Sequence, residues 1–201
     1  MTEPTRIRNA RGSGERLREE ILRAAIALLD ETNDPNVLTL RGIARRAGIS
    51  APSIYPHFDN LPTLVDAVLE SSFHELAESV RTAMTEQRAP AAKLLAAGRS
   101  YVQFGWEHKA RYRLMFAESG YAENAVETFS LVSAAIRACV DAGVSVSADP
   151  HADTWTIWAA LHGVATLEKP ARTDYLRLGT LNRLDMLETI IRRLALLSED
   201  R

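Results

Sequence analysis

Apolar side chains recur every three or four residues through most of this chain, and the pattern divides it into a series of helices. Over 15–31, Leu17, Ile21, Ala24, Ala25, Leu28 and Leu29 share one face, with Arg16, Arg18, Glu19, Glu20 and Arg23 mostly opposite. Asn33-Asp34-Pro35-Asn36 is a turn cluster. Leu61, Leu64, Val65, Val68, Leu69, Phe73, Leu76 and Val80 keep a helical period over 60–84, with Asn60 placed to cap the start. Further helices are predicted over 90–108, 109–117 and 123–142, the last burying Val126, Phe129, Val132, Ile136 and Val140 and ending at Gly143. An eighth spans 151–168, and a ninth, capped by Thr180, reaches about Leu197. The prediction is an all-α fold of about nine helices, since no alternating β-branched runs lie between turns.

The stretch 39–58 organises the rest. Thr39 can cap a short helix whose apolar face is Leu40, Ile43, Ala44 and Ala47. Gly48 follows, where a stop with positive φ is cheapest. Ile49 plugs the turn, Ser50 can cap a second segment, and Pro52 falls in its first turn, where a missing N–H costs little. Two short helices around a tight glycine turn make a helix-turn-helix, whose second helix enters the DNA major groove. Its core face would be Ile54 and Phe58, and its groove-facing candidates Ala51, Pro52, Ser53, Tyr55 and His57. Pro56 removes the bond to the Pro52 carbonyl, so the second segment should manage barely two turns and kink or end near 55–58. An ordinary helical hairpin would show the same spacing.

The residues that lift this above a hairpin are Ala44, Ala47, Gly48, Ile49, Ser50, Ile54, Tyr55, His57, Phe58 and Asn60, behind a helix of the right length. In order and spacing they resemble the tetracycline-repressor (TetR) family of bacterial regulators. The resemblance covers about the first 75 residues. It implies an N-terminal three-helix DNA-binding domain joined by a long helix to a C-terminal helical body, with repression, dimerisation and ligand release as the working cycle. One position departs: where the family usually places a phosphate-gripping Lys after the Phe-x-Asn corner, this chain has Leu61. Farther along, Trp158, His162 and Gly163 resemble the Trp-His-Gly signature of one body subtype.

On this reading 1–14 is a flexible basic arm, 15–75 the DNA-binding domain and 76–201 the ligand-binding and dimerisation domain. Double-stranded operator DNA is the expected partner. Arg6, Arg8 and Arg11 of the arm would follow phosphates or enter the minor groove, and Arg41 would reach a phosphate. Ser50, Ala51, Pro52, Ser53, Tyr55 and His57 complete the DNA-binding set, with Tyr55 on a phosphate and Ser53 on a base edge. Arg45 and Arg46 read as solvated charges.

Charge supports this weakly. The whole chain carries −2, but 1–58 holds nine Arg against seven acidic residues, and the remainder fifteen basic against nineteen acidic. No membrane-length apolar run and no secretory opening occur, which points to a cytoplasmic protein. The single Cys139 excludes an internal disulfide. No nucleophile elbow, phosphate-binding glycine loop or helical metal pair is present, so no enzyme, cofactor or metal is expected. An unidentified small-molecule effector is expected in a mainly apolar cavity lined by some of Trp106, Met115, Phe116, Phe129, Trp155, Trp158 and His162, although core packing would use the same residues. The last two helices carry more apolar surface than one body can hide, which predicts a homodimer through Leu161, Leu184, Leu187, Ile191 and Leu194. Activation of transcription, and a helical carrier or enzyme with a chance hairpin, stay open as alternatives.

Overall fold

The computed structural model describes residues 13–117, 125–167 and 183–198. Those residues form eight α-helices and two 3₁₀ turns, and the chain divides into two compact units, Met1–Ser71 and Ser72–Arg201.

In the first unit, α1 (Ser13–Thr32) buries Ile21, Ala24, Ala25 and Leu29 against α2 (Leu40–Ala47), which offers Ile43 and Ala44. Asp34 starts the 3₁₀ turn Pro35–Val37 by accepting the Asn36 N–H at 2.9 Å. Thr39 caps α2 as expected: its hydroxyl accepts the Gly42 N–H at 3.0 Å. Gly48 closes α2 at φ 70°, with its N–H on the Arg45 carbonyl and the Ile49 N–H on the Ala44 carbonyl, so two orphan carbonyls are satisfied.

The second half of the motif is tighter than a helix of two turns. Ala51–Ser53 is a single 3₁₀ turn, and the N–H groups of Ser53, Ile54 and His57 each bond a carbonyl three residues back. Pro56 limits it, since it has no N–H to offer the Pro52 carbonyl, and beyond it the Phe58 N–H bonds the Ile54 carbonyl four residues back at 3.0 Å. Ser50 does not cap the segment through its side chain; its hydroxyl pairs with that of Ser53 at 2.7 Å. The difference between about nine expected helices and eight observed is this segment. Asn60 then caps α3 (Leu61–Thr85) by accepting the Thr63 N–H at 2.9 Å.

The second unit begins within α3. Its centre is α4 (Pro90–Glu107), packed on α5 (Lys109–Phe116), α6 (Val126–Asp141), α7 (Pro150–Thr166) and α8 (Arg183–Leu194). The inward face of α6 is Thr128, Val132, Ala135, Ile136 and Cys139. Val126, expected inside, is 58% exposed at the helix start. After α8, Ser145 and Leu197 form an isolated bridge, and the Ser145 hydroxyl donates to the Ala195 carbonyl at 2.7 Å.

Three of the five residues expected at a dimer surface are taken up by the chain's own core. Leu161, Leu187 and Ile191 are 0%, 0% and 1% exposed. The reason is Gly98: a Cβ there would stand 2.3 Å from Ile191 Cδ1 and 3.3 Å from Leu161 Cδ2. Its absence lets α4 accept both side chains. Leu184 is exposed and Leu194 half-buried.

Candidate DNA interface and body cavities

The 3₁₀ turn separates the recognition segment into two faces. Ile54 and Phe58 are 0% and 2% exposed, and Arg18 of α1 lies over the Phe58 ring at 4.9 Å, a cation–π contact that the helical pattern does not reveal. Pro52 and Tyr55 are exposed, Ala51, Ser53 and His57 half-buried. Tyr55 is a large aromatic left 54% exposed, and Ser50 and, on α2, Arg41 are exposed as well. Gly14, at the start of α1, approaches His57, whose Cε1 lies 3.9 Å from the position of a Cβ at residue 14. Arg6, Arg8 and Arg11 lie outside the described residues, as does Thr180. Arg46 is tied to Glu31 at 2.5 Å.

In the body, the aromatic residues expected to line one cavity separate into three settings. Met115 is buried in the core. Phe116, Phe129, Trp155, Trp158 and His162 join Tyr101 and Tyr112 in a continuous array of rings, including Phe129–Trp155 at 4.7 Å, Phe116–His162 at 4.9 Å and Tyr101–Trp158 at 5.1 Å. The array runs from the core to the surface, where Trp155 is 58% exposed. Trp106 stands apart, its indole N–H donating to the Val164 carbonyl at 3.3 Å.

Inside the array a buried hydrogen-bond chain links three helices. The Tyr112 hydroxyl donates to that of Tyr101 at 3.0 Å, and with its one proton used there the 2.8 Å contact with His162 Nδ1 has the ring N–H donating. Burial raises the pKa of both tyrosines well above the ordinary phenol value, so both stay protonated. Burial lowers the pKa of His162, which favours the neutral ring. Arg111, 2% exposed on α5, is held by Glu75 of α3 at 2.5 Å and lies 5.3 Å over the Phe104 ring.

Two openings flank α4. A groove of about 880 Å³ against the C-terminal half of α3 includes Glu75, Glu78, Glu86 and Glu107 among its walls. A cavity of about 470 Å³ is lined by Gly105, Trp106, Lys109, Tyr112, Arg113, Ala165, Thr166, Leu167 and Arg183. Among the described residues no three His, Cys, Asp or Glu side chains are grouped to hold a metal, and no helix is long and apolar enough to cross a membrane.

Comparison with known proteins matches both units. The family model described as bacterial regulatory proteins, tetR family, matches residues 21–68, and the one described as tetracyclin repressor-like, C-terminal domain, matches 94–194, a stretch that includes Trp158, His162 and Gly163. The chain is similar to the HTH-type transcriptional activator FasR of Mycolicibacterium smegmatis, at 34% identity over 100 residues, which is 50% of this chain and 45% of that protein. It therefore spans about half the length of that curated relative. Among solved structures it is similar to a protein of unknown function from Rhodococcus sp. RHA1, with a TM-score of 0.70 at 26% identity over 96% of this chain and 100% of the other. A bacterial regulatory protein in the tetR family from Rhodococcus RHA1 shares the fold, with a TM-score of 0.67 at 18% identity over 92% and 98%.

Proposed function

The chain belongs to the TetR family of bacterial regulatory proteins and is a DNA-binding transcriptional regulator, and on that premise we propose that it grips operator DNA as a two-fold dimer and is released when a small molecule enters its body. The observation that carries the DNA assignment is the division of the recognition segment: Ile54 and Phe58 anchor it, which leaves Ser53, Tyr55 and His57 on the remaining surface. Tyr55 bonds a phosphate, Ser53 reads a base edge, and Arg41 with the arm's arginines follows the backbone. With Leu61 in place of the usual Lys, the Tyr55 hydroxyl and the arm carry more of the phosphate attachment. The test is a footprint on the DNA upstream of the chain's own gene, repeated with Tyr55→Phe and Ser53→Ala at fixed salt. Loss of affinity in both supports the assignment, and unchanged affinity in both overturns it.

Support for the dimer comes from α7. Its outward face, Ala152, Trp155, Thr156, Ala159 and Gly163, carries no charge, and Leu184 of α8 is exposed as well. Small residues on that face allow a second copy of α7 to approach closely, and a self-complementary patch suits a two-fold axis. The buried ring array and the neighbouring cavity are the places where a ligand would act. A second reading, activation of transcription, is favoured by the name of the Mycolicibacterium smegmatis relative. A reporter behind the mapped operator separates the two: deleting the gene raises expression under repression and lowers it under activation. The setting expected for either is the cytoplasm.

A further inference from the structure

We propose that the cavity walled by Trp106, Tyr112, Ala165 and Leu167 binds an organic anion with a flat apolar body, an aromatic carboxylate being the simplest, with Lys109 and Arg183 holding the charged end. The proposal rests on the ligand-responsive reading above and supplies its ligand class.

The charge of the cavity runs against that of its surroundings. Residues 59–201 carry four more acidic than basic residues, yet the described lining of this cavity holds three cations and no carboxylate. The groove on the other side of α4 has four Glu side chains in its walls. Lys109 lies just past the C-cap of α4, and Arg183 donates to the C-cap carbonyl of α7, so the C-termini of two helices gather cations at this hollow. Two cations from different helices, converging on one cavity, make a positive site that an anion would neutralise.

The geometry is already set for such a ligand. Arg183 is held in two ways: one amino group donates to the Leu167 carbonyl at 2.8 Å, and the guanidinium lies 5.0 Å over the Trp106 ring. A guanidinium has five N–H donors, so that bond leaves an edge able to take a carboxylate. Among the described residues neither Lys109 nor Arg183 has a carboxylate at ion-pair distance. The uncharged walls are mostly apolar: one indole, one phenol ring, the methyl of Ala165, Leu167 and the backbone at Gly105, with Thr166 beside them. About 470 Å³ falls in the usual range for small-molecule sites. Tyr112 is shared between this cavity and the chain of hydrogen bonds to Tyr101 and His162, so a ligand against its ring acts directly on the core of the unit.

The experiment uses three probes of one shape: 2-naphthoate, 2-naphthylmethanol and 2-naphthylmethylamine, titrated into the full chain by calorimetry and tryptophan fluorescence. The naphthoate should bind at least about tenfold tighter than the alcohol, and the amine most weakly. Lys109→Gln with Arg183→Gln should remove that preference while the alcohol binds as before; the single exposed change Lys109→Gln, which leaves the core intact, should remove part of it. Equal binding of the three probes, or naphthoate affinity unchanged in both variants, overturns the proposal. Operator affinity is measured alongside. Charge-selective binding that leaves operator affinity unchanged upholds the cavity and overturns the ligand-release reading instead.

Discussion

A methyl group at position 98 has no room unless Ile191 moves. Gly98→Ala should therefore cost about 1–3 kcal/mol, the usual range for overpacking, read from urea unfolding. Because the nearest atom is the end of a flexible side chain, Gly98→Ala combined with Ile191→Val should lose less than the two changes summed. Strict additivity would show that Gly98 does not place Ile191. At His162 the relevant quantity is a proton. Burial holds its pKa below the ordinary 6.5, so the folded chain binds this proton less readily than the unfolded chain does. Its contribution to stability is complete above about pH 6.5 and is lost as pH falls through the lowered pKa. The melting temperature of the parent should thus fall more steeply between about pH 7 and 5 than that of His162→Gln. Parallel curves would place the acid sensitivity elsewhere.

Among the elements, the recognition segment is the one whose form rests on a single residue. With Pro56 in place the N–H groups of Ser53, Ile54 and His57 bond three residues back, and position 56 offers no N–H to the Pro52 carbonyl. Pro56→Ala restores an N–H that can reach the Pro52 carbonyl, so the segment should lengthen toward a regular helix. Tyr55 would then rotate relative to the anchors Ile54 and Phe58. Circular dichroism should show unchanged or slightly higher helix content, while operator affinity falls. A variant that binds as tightly as the parent would mean that the 3₁₀ form is incidental. The Thr39 cap is a milder case: Thr39→Ala removes one bond at the start of α2 and should destabilise by about 1 kcal/mol.

At the scale of the molecule, assembly depends on which apolar surface remains after each chain has filled its own core. Leu161, Leu187 and Ile191 are inside, so charging Ile191 would unfold the body and say nothing about pairing. Ala159→Glu with Leu184→Glu touches only outward positions. It should give folded monomers with an unchanged far-ultraviolet spectrum and operator affinity reduced by orders of magnitude, because two recognition segments about 34 Å apart read a palindrome together. Light scattering that returns one chain's mass for the unmodified protein at micromolar concentration would rule the dimer out.

Sequence alone determined what local rules can decide. The period of three to four residues located the helices; Thr39, Gly48 and Asn60 marked their ends, since capping and positive φ need only near neighbours. The helix-turn-helix was legible for the same reason, with Ile54 and Phe58 assigned inward and Tyr55 outward. Which apolar stripe on α8 faces home and which faces a partner was not legible, because periodicity shows that a face is apolar but not what covers it. That was settled by the missing side chain at Gly98, ninety-odd residues away. The same limit applies to the cationic cavity. Trp106, Lys109 and Arg183 belong to three helices and share no spacing, so only their meeting across α4, α5 and α8 gives them a common chemistry.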